Sequence, residues 1–215
     1  MTAFLIVLAV AAEAYLLGSV DTGILVSKYL YHDDVRTHGS GAAGMTNMLR
    51  TFGKKAAALT AVGDVLKGVV AVCLGRWLFG HLPADAAVSP YLGVYLAAIL
   101  AVVGHSKPIY FGFKGGKGVL VGAVMLAFFD WRVFGIAFAL FLLSVIVTKW
   151  ISLGSILGAV SFPITTWVFY RDPVLTAMAL GMAAVVVFMH RSNIGRIIRG
   201  KENKFSFKSK KTMSD

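Results

Sequence analysis

The sequence predicts an all-α integral membrane protein, a compact bundle of about seven spanning or partly spanning helices. Three observations carry that prediction. Apolar residues make up 58% of the 215 positions and charged ones only 14%, with a mean hydropathy of +0.77, too little polar surface to coat a water-soluble globule. The apolar residues fall into runs bounded by charge, glycine or proline, near 3–30, 58–80, 91–106, 118–129, 133–148, 151–170 and 173–190. The net charge is +11, yet the cations gather between the runs and in the tail, which argues for membrane lipids and against a nucleic-acid partner.

The first run exceeds what a hydrocarbon core of roughly 30 Å requires and is expected to tilt or project. It carries Glu13 and Asp21, which are costly in lipid and should face protein or a wet cavity. With no basic residue ahead of it and Glu13 inside it, the run reads as a retained anchor rather than a cleaved signal. The second run holds Asp64 and Lys67, three apart and expected to pair toward the bundle interior. It also holds Cys73, the single cysteine, read as a packing residue with no disulfide or metal role. The fourth run is too short to cross alone, so it is expected to be a partial span beside a sheltered polar pocket.

Threading the runs alternately across a bilayer tests the topology. The connections 31–57 and 107–117, the turn at Lys149 and the tail 191–215 hold sixteen of the 21 Lys and Arg residues, while the opposite connections hold only Arg132 and Arg171. The excess places the amino terminus outside and the carboxyl terminus in the cytoplasm. Residues 1–190 then form the polytopic domain with the active site, and 191–215 a basic cytoplasmic helix end and tail. The tail interleaves Phe205 and Phe207 with lysines and is expected to lie as a disordered strand on the lipid surface.

The chemistry gathers on that cytoplasmic side. The first stretch, His38 to Arg50, contains Gly39, Ser40, Gly41, Gly44, Thr46 and Asn47. Its glycines let main-chain amides approach an anion, its hydroxyls and amide add hydrogen bonds, and Arg50 can grip two phosphate oxygens. Residues 39–44 match GxGxxG, but no strand precedes them, so a dinucleotide fold is not expected. The second stretch, Gly104 to Gly118, ends Lys114-Gly115-Gly116-Lys117-Gly118 and feeds the short run, whose first amides would point at an anion. It lacks the Walker spacing. In the third, His190, Asn193 and Arg196 are separated by threes and share one helical stripe. Ser152 and Ser155 are helix-packing residues placed where one can reach a ligand.

Taken in order, GSGAAGMTNxxR, DVLKG, GHxxPxYFGFKGGKG and HRSNIxR resemble the bacterial membrane glycerol-3-phosphate acyltransferases that use acyl phosphate, over about Tyr15 to Arg199. The resemblance implies seven membrane helices in the cell membrane, with an active site on the cytoplasmic face. It implies transfer of a fatty acyl group from acyl phosphate to the 1-hydroxyl of sn-glycerol 3-phosphate, giving lysophosphatidic acid and phosphate, with no metal, no cofactor and no acyl-enzyme. By position in the motifs the catalytic residues fall on Ser40, Arg50, Lys117, His190 and Asn193, and a glycerol-phosphate contact on Ser155. The glycine-rich residues, Lys114 and Arg196 are expected to help bind substrate. The chain departs from the family's usual residues at Ala42, at Ser192 and at Val119-Leu120-Val121. An organic-anion or phosphate transporter is the rival class. It is disfavoured because no two-half repeat is visible and the cations sit on one face. A paralogue acylating another polyol phosphate is a further alternative. The acyl-CoA type is excluded because no histidine has an aspartate five positions on.

Overall fold

The structure, a computed structural model, describes residues 2–82 and 90–205. They form α1 (Thr2–Ser19), α2 (Thr22–Leu30), α3 (Met45–Phe52), α4 (Lys54–Phe79), α5 (Pro90–Ser106), α6 (Val119–Phe129), α7 (Trp131–Thr148), α8 (Ile151–Tyr170), α9 (Pro173–Met189) and α10 (Arg191–Ile198). There is no strand among the described residues. Five stretches are long and apolar enough to cross a bilayer, and six when the bent pair α9–α10 is taken as one span. With the shorter α6 these are the seven apolar runs. Lipid explains the outward face: on α7, Leu143, Ile146 and Val147 are 60%, 66% and 74% exposed, apolar surface that water would not tolerate as a continuous wall.

At the centre, α1 and α4 pack on α5 through Ala14, Ala71, Ala97, Ala98 and Ala101, all buried. Small side chains bring the backbones close, the main source of helix association where solvent is itself apolar. The 11-residue α6 rises only about 16 Å, roughly half a hydrocarbon core. Its far end is pinned by Asp130, which caps α7, holds Arg132 at 2.6–3.1 Å and accepts from the Tyr170 hydroxyl at 2.5 Å. Those bonds keep the Asp130 carboxyl well below the usual carboxylate range.

Four features refine the sequence reading. The first run is two helices: Asp21 caps α2 by accepting from the Ile24 amide at 3.2 Å, and Lys67 donates to the Val20 carbonyl at 2.9 Å. That break lets a polar group enter the bundle without orphaning backbone. Connection 31–57 contains α3, and α4 begins at Lys54, earlier than the hydropathy boundary, because lysine at a helix end can reach water while its turn stays helical. The last run bends by 61° at His190, so α10 is a separate short helix. Residues 201–205 fold back on the bundle, the Phe205 amide donating to the Lys149 carbonyl at 2.7 Å. The expectation for the rest of the tail, Phe207 included, lies outside the described residues. Glu13 is half-buried on α1, and neither of its carboxyl oxygens has a hydrogen-bond partner among the described residues.

Candidate active site

The first glycine-rich stretch is shaped by its own side chains. Asn47, 2% exposed on the first turns of α3, shares its amide hydrogens among the carbonyls of Val35, His38 and Ala42 at 3.0–3.1 Å, and its Oδ1 accepts from the Ser40 amide at 3.0 Å. Gly39, at φ +57°, lies against the Asn47 amide where a Cβ would collide. Asn47 therefore acts as the internal strut of the loop, its polar atoms occupied. Arg36 does the same at longer range. It grips Asp34 at 2.7–3.2 Å and donates to the carbonyls of Phe111 and Lys114 at 2.8 and 3.1 Å. The guanidinium holds the Asp34 carboxyl down at about 2.

The second stretch is held by that clamp and by α5. The Gly116 amide donates to the His105 carbonyl at 3.0 Å, and the Ala43 amide to the Gly115 carbonyl at 3.4 Å. A Cβ on Gly116 would collide with Nε2 of the His105 ring, leaving no room for a side chain. Beneath it is a buried cluster. Lys67 pairs with Asp64 at 2.8 Å and meets His105 Nδ1 at 2.8 Å, with Asp21 at 3.8 Å from the same ring nitrogen. An ammonium has no lone pair to offer, so Lys67 donates and the neutral His105 ring carries its proton on Nε2.

Lys117 emerges from this anchored backbone beside α10. Its ammonium donates to Asn193 Oδ1 at 2.5 Å. The Asn193 amide donates to Glu202 Oε1 and Arg196 Nε to Glu202 Oε2, each at 2.8 Å. Lys117 precedes α6, outside the spanning helices, and its pKa is pushed down to about 8, first by burial and then by the cations Arg196 and Arg50, against the opposing pull of Glu202. At the bend, His190 is 2% exposed and its Nδ1 donates to the Val186 carbonyl at 2.8 Å, leaving Nε2 for a partner.

These groups share one cavity of about 410 Å³. Ser40, Gly44, Thr46, Asn47 and Arg50 line it from the first stretch, Lys117 from the second, and His190, Asn193 and Arg196 from the third. Ser155 lines it from α8, its hydroxyl donating to the Ile151 carbonyl at 2.9 Å. Ser152 lines it with a hydroxyl that lacks a partner among the described residues. Gly39, Gly41, Lys114, Gly115 and Gly116 do not border it. Lys114 and Gly115 contribute carbonyls to the loop clamp instead. The sequence reading missed His105, Glu202 and Asn203, and gave Asp64 only its pairing with Lys67; all four also border the cavity. Glu202 had a signal, as an acid embedded among the tail's cations. From this polar end the cavity continues between α6, α7, α8 and α9 as an arm lined by Met125, Phe141, Phe162, Met182 and Val186. Such a shape suits a ligand with an anionic head and an apolar chain.

Comparison with known proteins agrees with this geometry. Residues 7–200 match the family model described as glycerol-3-phosphate acyltransferase. The glycerol-3-phosphate acyltransferase of Clostridioides difficile (strain 630) is 40% identical over 93% of this chain and 95% of its own. That of Trichlorobacter lovleyi is 44% identical over 90% and 95%. The crystal structure of PlsY (YgiH), an integral membrane glycerol 3-phosphate acyltransferase, in its glycerol 3-phosphate form superposes with a TM-score of 0.82 at 31% identity, covering 93% of this chain and 96% of that one. The lysophosphatidic acid form gives 0.78 at 29%, over 94% and 96%. The chain is thus a multi-pass membrane protein that belongs to the glycerol-3-phosphate acyltransferase family, of the PlsY type.

Proposed function

We propose that this protein transfers a fatty acyl group from acyl phosphate to the 1-hydroxyl of sn-glycerol 3-phosphate, releasing lysophosphatidic acid and inorganic phosphate, at the cytoplasmic face of a bacterial cell membrane. The observation that carries the reading is the single cavity that joins the cations Arg50, Lys117 and Arg196 to an apolar arm between helices. Two phosphoesters need such cations, and an acyl chain needs such an arm. The orientation follows from the basic connections, all on the cavity's side of the bundle, and residues 191–205 act with the polytopic body rather than as a separate tail.

Acyl phosphate is already activated, so the protein's task is alignment and charge stabilisation. The glycerol 1-hydroxyl attacks the acyl carbonyl carbon, the new ester C–O bond forms, and the bond to the phosphate oxygen breaks as phosphate departs with its electron pair. Lys117 and the loop amides hold the donor phosphate. Arg50, Ser155 and His190 position glycerol phosphate, and Asn193, braced by Glu202, orients the attack. The hydroxyl proton leaves to a phosphate oxygen or to the free Nε2 of His190. Direct transfer is supported by the lack of an activated nucleophile: among the described residues no histidine hydrogen-bonds the Ser40 hydroxyl, and Cys73 lies outside the cavity.

The test is to incubate purified protein with palmitoyl phosphate and glycerol 3-phosphate and to measure phosphate and lysophosphatidate together. Equimolar products are expected. Absence of product with every acyl phosphate overturns the donor assignment, and a trapped acyl-protein overturns direct transfer.

A further inference from the structure

The apolar arm has a floor. On α6, α8 and α9 the residues bordering the cavity end at about the same depth below the polar end, after Met125 and Leu126 on α6, Phe162 on α8 and Met182 on α9. Counting from Val119, Ser155 and His190, which border its polar end, the descent to Met125, Phe162 and Met182 is roughly 9–12 Å along each helix. Those three residues are 0%, 1% and 4% exposed and belong to the central core. Behind them the packing is aromatic. Phe162 stacks on Tyr95 with ring centroids 5.6 Å apart and meets Phe129 edge-on at 6.2 Å, while Tyr95 and Phe129 meet at 4.9 Å. Neither Tyr95 nor Phe129 borders the cavity. A close-packed layer of this kind yields little to an extra methylene.

The side wall differs. Phe134, Phe138 and Phe141 line the cavity as a ladder of stacked rings on α7, at centroid distances of 5.7 and 6.3 Å, and Phe138 is 50% exposed. A chain that passed this wall would end in the bilayer and meet no limit.

Resting on the acyl-phosphate reading above, we infer that Phe162, backed by Met125 and Met182, is the stop that sets the acyl-chain length this enzyme accepts. A chain that reaches the floor gains from each methylene it buries. One that is too long must either displace the aromatic layer or leave past Phe138. Because one methylene in an apolar pocket is worth about tenfold or more in selectivity, a buried floor converts depth into a measurable preference.

The test compares kcat/KM for octanoyl, decanoyl, lauroyl, myristoyl and palmitoyl phosphates in wild type, Phe162→Ala, Met182→Ala and Ala183→Leu. Ratios between donors are read, so a loss of folded protein cancels. Phe162→Ala is expected to move the optimum to chains about two to four carbons longer, as the removed ring opens a cavity below the arm. Met182→Ala shifts it the same way by less. Ala183→Leu, which adds bulk to a buried wall residue above the floor, shifts it to shorter chains. Ratios unchanged in all three variants overturn the inference and place the chain end in lipid beyond the Phe138 wall. Absence of turnover with every donor in wild type fails the acyl-phosphate reading instead, so the two failures are distinct.

Discussion

A buried lysine, Lys67, and a half-buried one, Lys117, stand on either side of the Gly115–Gly116 backbone, and they are built to opposite ends. Lys67 has its charge answered: Asp64 lies at 2.8 Å, the Val20 carbonyl accepts at 2.9 Å and the His105 ring at 2.8 Å. Lys117 has a neutral amide as its hydrogen-bond partner and two cations, Arg50 and Arg196, among its electrostatic neighbours. In the first, the ammonium's three partners all come from the protein. The second gathers positive charge toward one cavity with Glu202 as the opposing acid, an arrangement that an incoming phosphate would relieve. A lysine saturated by the protein supports the fold, and one left under-compensated is reserved for an anion.

Removing Lys67 should break that contrast most severely. Lys67→Met leaves Asp64 buried with no cation partner and the Val20 carbonyl without its donor, a loss of about 3–5 kcal/mol. Thermal unfolding in detergent should show a large fall in Tm, with activity falling in step with folded protein. A variant with wild-type Tm and no turnover would reverse the assignment and make Lys67 the catalytic lysine.

The complementary change is Lys117→Ala. Here kcat/KM is expected to fall about a hundred- to thousandfold, the usual loss for one charge-stabilising donor. Its Tm should hold or rise, since a poorly solvated cation has been taken away. Full activity in this variant would remove Lys117 from the site and with it the contrast.

How far this pairing could be read from residues alone differs between the two lysines. The Asp64–Lys67 spacing disclosed a pair on one helix face, but its third and fourth members, His105 and Asp21, come from other helices, and no periodicity links them. The seven apolar runs were visible because hydropathy acts locally over about twenty residues. The breaks at Val20–Asp21 and His190 were not, because each depends on a remote partner: Lys67 for one, and for the other the seating of α10 beside Lys117. In the first glycine-rich stretch the residue types suggested an anion cradle, while the structure gives Asn47 to the loop itself. A side-chain amide serves backbone or ligand equally well by composition, and the fold alone decides.

The pH dependence sharpens the contrast further. With Lys117 depressed to about 8, its positive charge is present below that value and lost above it. The kcat/KM for glycerol 3-phosphate should therefore decline on a basic limb near pH 8, reporting the free enzyme. Lys117→Arg should carry the limb out of the measurable range, since guanidinium stays charged. Stability runs the other way. The folded pKa lies below the unfolded value of 10.5, so the unfolded chain binds more protons between about 8 and 10.5, and this group's contribution to stability rises with pH across that window. A basic limb that persists unchanged in Lys117→Arg belongs to another group.

The smallest expected effect comes from Glu202, and its sign is the informative part. Its carboxylate accepts from Asn193 and Arg196 at 2.8 Å each and is the group that raises the Lys117 pKa against burial and the neighbouring cations. Glu202→Gln keeps an acceptor for Asn193 but removes the charge. Lys117 should then lose its proton more readily, moving the basic limb of kcat/KM to lower pH than in wild type. Arg196, freed from its ion pair, should hold glycerol phosphate less firmly, and KM should rise by about three- to tenfold with a smaller change in kcat. If the limb stays where it was or moves upward, Glu202 acts on the site only as a packing brace for α10. The under-compensation of Lys117 would then be set by burial and the two arginines alone.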